Sequence, residues 1–399
     1  MAKIGIYGGS FNPPHLGHLQ AARAFYEKLG LDCLLLIPAA TPPHKTLPPD
    51  TPNAMDRLAM TRCMAEDLPF AKVDDLELQR QGASYTVDTL EELKKRYPND
   101  ELYLCMGTDM FRSFDTWREP ARIAELATVV MAHRVKADPE ELQQLSQHFR
   151  ETYGKEPVLL ANDILPMSST QIRRLLILGG AEDFLPALVL AYIQEKGLYG
   201  TNRNRKNLPF AELKAESLAL HKPQRVNHVI GCSETARKLA LIHGADPDDA
   251  ERAGILHDIT KALDGPDQLR LCDKYDIIID TFDRAHPKIL HATTGSDAAR
   301  RVFGENEAVC QAIRWHTSGK AEMSTLEKII YVADYMEPNR DFPGVEEMRR
   351  LAETDLDAAM YMGLEMARDH LNRQGAQMCR HSVDAMAYLE KKKGQCIET

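Results

Sequence analysis

The sequence predicts an α/β domain built on a parallel sheet, followed by an all-α domain. Its first half alternates short apolar runs with segments of helical spacing, a pattern typical of a parallel sheet with helices on both faces. From about Phe210 the apolar runs end and helical spacing continues alone. Between these halves the segment GLYGTNRNRKNLP is polar and basic, which indicates a domain boundary. We therefore predict domains at 1–200 and 213–399, joined by a linker at 201–212.

The predicted elements of the first half follow one another in the order that a parallel sheet requires. An opening strand and a helix at 17–30 are followed by DCLLLIP at 32–38, an apolar run typical of a buried parallel strand. The later elements are helices near 53–67 and at 86–96, with strands near 71–76, at 101–106 and at 127–132. Ligands of such sheets bind outside the carboxyl ends of the strands, so we expect the site there.

The segment IGIYGGSFNPPHLGH at 4–18 is the main candidate for that site. Gly8 and Gly9 have no Cβ, so we expect a sharp turn that brings backbone N–H groups close to a phosphate. His15 and His18 lie where a helix begins, and each can donate a hydrogen bond to a phosphate oxygen. No Gly-Lys-Ser/Thr follows, and the glycine spacing is not that of the dinucleotide fingerprint. The segment therefore predicts a nucleotide-phosphate site of another type.

Four other segments carry candidate side chains to the same edge of the sheet. Lys45 in ATPPHKTLPP is either a triphosphate ligand or an ordinary exposed lysine. The hydroxyls of SYTVDTL either cap a helix or contact the carboxylate of a ligand. In GTDMFRSFDTW, Asp109 can accept from a ribose hydroxyl, and Trp117 is either a stacking residue or part of the core. The segment PMSSTQIRR combines a helix start with arginine, which makes either an anion site or only a cap.

Composition limits the classes of partner. A formal net charge of −10 over 399 residues argues against a general nucleic-acid or membrane-surface binder, so a phosphate site must be a local cationic pocket. No run approaches the roughly 20 apolar residues needed to cross a bilayer. The eight cysteines include no C-x-x-C pair, which favours reduced thiols over a disulfide framework. We expect a cytoplasmic enzyme of small nucleotides.

The first half resembles nicotinate-nucleotide adenylyltransferases through YGGSFNPPHLGH, PPHK, ASYTVDTL, GTDMFRSFDTW, SSTQIRR and YIQEKGLYG. This resemblance implies a Rossmann-like nucleotidyltransferase domain that uses Mg²⁺ to transfer AMP from ATP to nicotinate mononucleotide, giving deamido-NAD and pyrophosphate. Met167 departs from the isoleucine that these enzymes often have there. Pantetheine-phosphate adenylyltransferase, which shares the first and last motifs, is the alternative, but SYTVDTL and GTDMFRSFDTW favour the pyridine nucleotide.

The same resemblance implies roles for individual residues. Binding of the ATP phosphates and stabilisation of the transition state fall to His15, His18, Lys45 and Arg173. Substrate binding falls to Gly8, Gly9, Ser10, Phe11, Thr86, Gly107, Asp109, Trp117, Ser168, Ser169 and Thr170. Within that set, Thr86 and Trp117 would hold the nicotinate end and Asp109 a ribose.

The second half carries histidines and aspartates dispersed through apolar helical segments. They occur in Asn227-His228, LHDITK, LHATTG, RWHTSG and YVADYMEPNR. Imidazole and carboxylate together suit iron, manganese or zinc, and several buried histidines would be costly without a metal. The candidate ligands are His228, His257, Asp258, His291, His316 and Asp334.

This pattern resembles the HD superfamily of metal-dependent phosphohydrolases, named for an adjacent His-Asp pair. The resemblance implies a two-metal site, with iron or manganese expected, in which Asp258 has a catalytic role. Lys261 would then be an electrostatic aid to the substrate phosphates, or otherwise a surface lysine. HDITK, WHTSG and YVADYMEPNR look most like the symmetrical hydrolases that cut diadenosine tetraphosphate into two ADP.

Other substrates of the second half stay open. Related HD proteins hydrolyse guanosine tetraphosphate, cyclic nucleotides, nucleoside monophosphates or RNA linkages, and a nucleotide sensor without catalysis is a further alternative. The expected partners are ATP, nicotinate mononucleotide and a dinucleoside tetraphosphate. Neither nucleic acid nor a membrane is expected, and whether copies of the chain associate is left open.

Overall fold

The chain divides into two compact units, Met1–Arg203 and Asn204–Thr399. A computed structural model describes residues 1–43, 47–48, 50–80, 82–133, 137–162 and 167–397. The predicted domain boundaries at 200 and 212 stay a prediction. Among the helices in these ranges, none has the length and apolar character needed to cross a membrane.

The first unit contains a parallel sheet, as predicted. Its strands are β1 (Lys3–Gly9), β2 (Cys33–Pro38), β3 (Ala71–Val73), β4 (Glu101–Gly107), β5 (Thr128–His133) and β6 (Val158–Ala161). They lie in the order β3-β2-β1-β4-β5-β6, and every neighbouring pair is parallel. The order reverses beside β1, where such sheets bind their ligands. Strand β6 was not predicted from the sequence, and it has four residues with two exposed positions.

The helices of the first unit connect these strands. They are α1 (Leu16–Leu29), α2 (Ala54–Ala65), α3 (Thr86–Arg96), α4 (Thr108–Arg112), α5 (Pro120–Leu126), α6 (Pro139–Tyr153), α7 (Ser169–Leu178) and α8 (Ala187–Lys196). Strand β2 is buried from Leu34 to Pro38, and side chains that point to both faces are covered. Helix α3 packs its buried Val87, Leu90 and Leu93 into a core with alternate residues of β4. This packing holds the carboxyl ends of the strands in place.

The second unit is helical throughout its described residues, which confirms the predicted change of fold class. Its helices are α9 (Phe210–Leu220), α10 (Val226–His243), α11 (Pro247–Leu256), α12 (Gly265–Lys274), α13 (Thr281–Ala285), α14 (Leu290–Ala298), α15 (Glu307–Trp315), α16 (Thr325–Met336), α17 (Val345–Thr354), α18 (Leu356–Arg373) and α19 (Arg380–Ile397). The apolar faces of α10, α11, α15 and α16 meet in the core, and residues such as Ala236, Ile255, Ile313 and Ile330 are fully buried there.

Candidate functional sites

A cavity of about 950 Å³ opens at the carboxyl ends of β1, β2, β4 and β5. Its volume suits a nucleotide, because small-molecule sites commonly measure about 300 to 1,000 Å³. The structure brings twelve of the residues predicted for this site to its wall. These are Gly8, Gly9, Ser10, His15, His18, Thr86, Gly107, Asp109, Trp117, Ser168, Ser169 and Thr170.

The predicted glycine turn after β1 is wrong. Gly8 and Gly9 are the last residues of the strand and pair with Ile37 and Pro38 of β2. The positive φ occurs two residues later, at Phe11, whose φ is 43°. A Cβ on Gly8 would meet only the carbonyl oxygen of Ile37, at 3.9 Å, and otherwise open space. The absence of a side chain therefore leaves room in the cavity rather than making the turn.

His15 and His18 lie together at the start of α1, with His15 at the N-cap position. Their ring centroids are 3.8 Å apart. Nδ1 of His18 accepts a hydrogen bond from the backbone N–H of His15 at 3.2 Å, so a neutral His18 carries its proton on Nε2. Burial and the neighbouring His18 hold the pKa of His15 well below its usual range. The pair thus offers imidazole donors beside the positive end of a helix, which favours an anion.

Two predicted residues lie behind the cavity wall, and a third lies outside the described residues. Phe11 is 1% exposed and packs edge-on against Tyr7, with ring centroids 5.9 Å apart. Arg173 donates to the carbonyl oxygen of Asn12 at 2.7 Å and to the hydroxyl of Thr170 at 3.1 Å. It therefore fastens the loop after β1 to α7 in this structure. Lys45 falls in the segment that the structure does not describe.

The hydroxyls ahead of α3 do not cap this helix, which was one of the two expectations for them. Tyr85 occupies the N-cap position without a side-chain cap, and Thr86 is the first helical residue. Ser84 instead accepts hydrogen bonds from the backbone N–H groups of Ala40 at 3.0 Å and Thr41 at 3.3 Å. This contact joins the loop after β2 to the start of α3. The hydroxyl-bearing Thr86 and the positive end of α3 consequently face the cavity.

The remaining predicted residues border the cavity at β4 and α7. The carboxylate of Asp109 is 95% exposed and pairs with Arg112 at 2.7 Å. Trp117 is half-buried against Phe114, with ring centroids 5.4 Å apart, so it is both a packing residue and part of the wall. Ser168 caps α7 by accepting from the N–H of Gln171 at 3.2 Å, as predicted for one of these hydroxyls.

Arg57, a residue not predicted from the sequence, holds the loops beneath this cavity. Its guanidinium is 1% exposed and donates to the carbonyl oxygens of Ser10 at 2.8 Å, Ala39 at 2.6 Å and Ala40 at 2.9 Å. One side chain thereby joins the loops after β1 and β2. The available signal was spacing, because Arg57 shares the buried face of α2 with Thr61 and Met64.

Replacing Arg57 by leucine is expected to lower the free energy of unfolding of the first unit by about 3 kcal/mol, because three buried carbonyls lose their donor. Trp117 and Trp315 are the two tryptophans. In a Trp315→Phe background, urea unfolding followed by fluorescence therefore reports on the first unit. Arg62→Leu is the matched control, since Arg62 lies on the same helix, is 57% exposed and pairs with Asp75 only at 3.9 Å. A change in that control as large as the one at Arg57 would contradict this assignment.

Glu77 is a second missed residue of the cavity wall. Its carboxyl group is 8% exposed and accepts from the hydroxyl of Thr89 at 2.7 Å. Burial raises its pKa, partly opposed by hydrogen bonds from Thr89 and Ser84. Burial thus favours the neutral carboxyl group beside the start of α3.

In the second unit, the six predicted metal ligands come together from five helices. His228 lies on α10, His257 and Asp258 directly follow α11, and the others lie on or next to α14, α15 and α16. Two groups have donor atoms that all lie within 4.8 Å of one another. They are His228, His257 and Asp334, and His257, Asp258 and His316.

The backbone fixes which ring nitrogen faces this centre. Nδ1 of His257, His291 and His316 each lies 2.7 Å from a carbonyl oxygen, those of Gly254, Lys288 and Ile313 respectively. A carbonyl can only accept, so each Nδ1 carries the proton and each Nε2 has a lone pair. His228 is oriented in the same way by the Glu337 carboxylate, 3.1 Å from its Nδ1. Four Nε2 lone pairs therefore point at the same buried centre.

Asp258 connects two pairs of imidazoles. Its Oδ2 lies 3.4 Å from Nε2 of His257 and 3.8 Å from that of His228. Its Oδ1 lies 3.3 Å from Nε2 of His291 and 3.6 Å from that of His316. Asp334 adds an oxygen 3.1 Å from Nε2 of His228. One carboxylate can thus bridge two metal positions, each with its own imidazoles.

The protonation states suit metal ligands. Burial lowers the pKa of His257, and it lowers that of His291 to about 4, so the neutral imidazole is favoured. Asp258 contacts Arg225 and Lys261, two cations that favour its ionised carboxylate. Lone pairs facing carboxylates repel one another unless a cation lies between them. Nitrogen and oxygen donors in this arrangement fit divalent iron, manganese or zinc.

Three charged residues around this centre were missed because their partners are distant in sequence or, for Arg340, lie across the end of α16. Glu337 is 1% exposed and accepts from Nδ1 of His228, as carboxylates behind metal-bound histidines commonly do. Gly231 makes room for it, since a Cβ there would lie 2.5 Å from Oε2 of Glu337. Arg225 pairs with Asp258, and Arg340 donates to Asp334 at 2.7 Å.

Known proteins resemble the two halves separately. Residues 6–175 match the cytidylyltransferase-like family, and residues 225–339 match the HD domain. A predicted HD superfamily hydrolase involved in NAD metabolism from Clostridium acetobutylicum, of solved structure, is 32% identical. It covers 46% of this chain and 98% of its own, with a TM-score of 0.45.

The first half of this chain aligns with proteins of one family over nearly the whole length of those proteins. A probable nicotinate-nucleotide adenylyltransferase of Syntrophotalea carbinolica is 40% identical over 212 residues, which cover 49% of this chain and 97% of that protein. A second one, of Desulfitobacterium hafniense, is 40% identical over 199 residues, covering 49% and 95%. Through its first half, the chain belongs to the nicotinate-nucleotide adenylyltransferase family.

Proposed function

We propose that the chain is a bifunctional enzyme whose first unit transfers AMP from ATP to nicotinate mononucleotide. The observation that carries this proposal is the pair His15 and His18 at the start of α1, inside a nucleotide-sized cavity of a chain that belongs to this family. ATP would enter with Mg²⁺. The products are deamido-NAD and pyrophosphate.

The residues present can perform this reaction by position and charge. The phosphate of nicotinate mononucleotide attacks the α-phosphorus directly, so no covalent enzyme intermediate is needed. His18 would donate from Nε2 to the phosphate oxygens, where negative charge accumulates in the transition state. Arg57 and Arg173 hold the loop after β1, which fixes the position of the histidines relative to the strand ends.

We further propose that a carboxylate is preferred over an amide on the pyridine ring, because Thr86 and the positive end of α3 border the cavity. Thr86→Val is expected to reduce the preference for nicotinate over nicotinamide mononucleotide by about tenfold in kcat/KM, since a hydrogen bond to a charged group is lost. Competition between the two substrates measures this ratio. Thr128→Val, at an exposed position of β5, should leave the ratio unchanged. An unchanged ratio in Thr86→Val would remove this residue from the recognition of the carboxylate.

For the second unit we propose hydrolysis of a dinucleoside tetraphosphate to two nucleoside diphosphates. The bridging position of Asp258 between two pairs of imidazoles carries this proposal, since it can hold two metal ions close together. When bound, two divalent ions activate water and stabilise charge on phosphate oxygens. The chain's own part is to orient the imidazoles through Glu337 and the backbone carbonyls. The complete donor set argues against a sensor without catalysis.

Chromatography of the products tests this activity. Protein loaded with manganese or iron is expected to convert diadenosine tetraphosphate to ADP alone, and removal of the metal by a chelator should stop the reaction. ATP plus AMP would retain the hydrolase and reject symmetrical cleavage. If the substrate is not consumed, guanosine tetraphosphate, cyclic nucleotides and mononucleotides become the substrates to test.

We also propose that both reactions occur in the cytoplasm. The seven cysteines from Cys33 to Cys379 form no disulfide with one another, which suits a reducing compartment.

A further inference from the structure

Three cations contact the carboxylate oxygens that face the metal positions. Arg225 donates from Nη2 to Oδ2 of Asp258, the oxygen nearest His257. Lys261 lies 3.2 Å from Oδ1 of the same carboxylate, on the side of His291 and His316. We call Arg225, Lys261 and Arg340 the cation cluster.

Arg340 contacts the other carboxylate. Its Nη2 donates to Oδ1 of Asp334 at 2.7 Å, and its Nε donates to the backbone carbonyl of the same residue at 2.9 Å. That Oδ1 is also the atom 3.1 Å from Nε2 of His228. The side chains of the cation cluster are 28%, 36% and 36% exposed for Arg225, Lys261 and Arg340. They therefore extend from the buried ligands to solvent, where a substrate arrives.

The charges of this site balance only without metal. Asp258, Asp334 and Glu337 supply three negative charges, and the cation cluster supplies three positive charges. With neutral imidazoles, two divalent ions would add four positive charges that the contacting side chains do not offset. The metals would also take over the carboxylate oxygens that the cation cluster now contacts. A bound substrate of high negative charge would restore the balance.

We infer that the cation cluster is a binding site for a linear polyphosphate chain, with Arg225 and Arg340 as its principal ligands. A chain of four phosphates carries about four negative charges, whereas a cyclic monophosphate carries one and a nucleoside monophosphate about two. Arg225 and Arg340 lie on the side of His228 and His257, and Lys261 lies on the opposite side of Asp258. A polyphosphate that spans both metal positions contacts both sides. This inference rests on the proposed hydrolase and specifies which of its residues bind the phosphates of the substrate.

Loss of one arginine of the cation cluster is expected to weaken the binding of polyphosphate without weakening the binding of Mn²⁺. In Arg340→Gln and Arg225→Gln, the affinity of the metal-loaded protein for polyphosphate should fall by about tenfold, since a charge-assisted contact is lost. The affinity for Mn²⁺ should be equal or higher, because a competing cation leaves the carboxylate. A purely structural arginine would lower both affinities together.

Calorimetric titration of the full chain measures both quantities without turnover. The probe is diadenosine tetraphosphate with a methylene group in place of the central bridging oxygen, compared with AMP, whose affinity should fall less than that of the probe. Arg237→Gln is the matched control, because Arg237 is 40% exposed and pairs with Asp248 and Glu251 away from the ligands. Circular dichroism confirms that each variant is folded.

The outcomes separate this inference from the proposed activity. Weaker probe binding with retained Mn²⁺ affinity supports the cation cluster, even if the wild-type protein does not cleave diadenosine tetraphosphate to ADP. Unchanged probe affinity in both variants, an equal loss for AMP, or a parallel loss of Mn²⁺ overturns it, even if symmetrical hydrolysis is observed. A wild-type protein that does not bind the probe overturns the inference as well.

Discussion

The His18→Ala variant is expected to lose about a hundredfold to a thousandfold in kcat for adenylyl transfer, the usual effect of removing one donor that stabilises transition-state charge. The expectation follows from the tautomer of His18, whose Nδ1 is engaged by the backbone N–H of His15. Only Nε2 is then left to donate to a phosphate. Formation of deamido-NAD from saturating ATP and nicotinate mononucleotide measures the loss, which should fall on kcat more than on KM.

A matched histidine in the same unit provides the control. His148 on α6 is 59% exposed and pairs with Asp115, so His148→Ala should keep the wild-type rate. Hydrolysis by the second unit should be unaffected in both variants. A His18→Ala enzyme with wild-type kcat would show that His18 does not stabilise the transition state. Loss of both activities in the folded variant would show that the two sites are not independent.

The spacing of apolar residues predicted those helices and strands whose ends are marked by nearby residues. Helix α3 was predicted with its observed bounds, because Val87, Leu90 and Leu93 repeat at helical spacing and Lys94 and Lys95 follow in the last turn. Strand β6 was missed because Val158–Ala161 is short and has one buried side chain. Its identity as a strand comes from pairing with β5, which no local pattern reveals.

The residues of the candidate sites were also predicted only in part. Histidine and aspartate are residue types that bind metals, so the imidazole ligands of the second unit could be named from the sequence. The charged residues that contact these ligands could not, since Glu337 reaches His228 across 109 positions and Arg225 reaches Asp258 across 33. Such partners are selected by packing between helices. The same holds for Arg57, whose three acceptors lie in two separate loops.

Gly8 and Gly9 show how a motif can point to the right site by the wrong reasoning. Glycine suggested a turn because it adopts positive φ easily, yet both residues continue β1. What the site requires there is empty volume, and a Cβ on Gly9 would already lie 3.4 Å from the ring of Phe11. A glycine can be required for a positive φ or for the space that a Cβ would fill, and only the packed structure shows which of the two applies.

The Asp258→Ala variant is expected to lose hydrolysis by at least about a thousandfold, equivalent to about 4 kcal/mol of transition-state stabilisation. The physical reason is that both of its oxygens face imidazoles, Oδ2 on one side and Oδ1 on the other, so one substitution removes a ligand from two metal positions. Elemental analysis after desalting should show metal content falling to below about one ion per chain. Release of ADP from diadenosine tetraphosphate measures the activity.

The fold should tolerate this substitution, because the cations released by it reach water. Arg225 and Lys261 are 28% and 36% exposed, so neither becomes a buried unpaired charge when Asp258 is removed. Asp248→Ala is the control within the same unit, at an aspartate that is 79% exposed. It should retain both metal and hydrolysis, and both variants should retain adenylyl transfer. An Asp258→Ala protein that keeps its metal and its rate would mean that the carboxylate does not bridge the two positions.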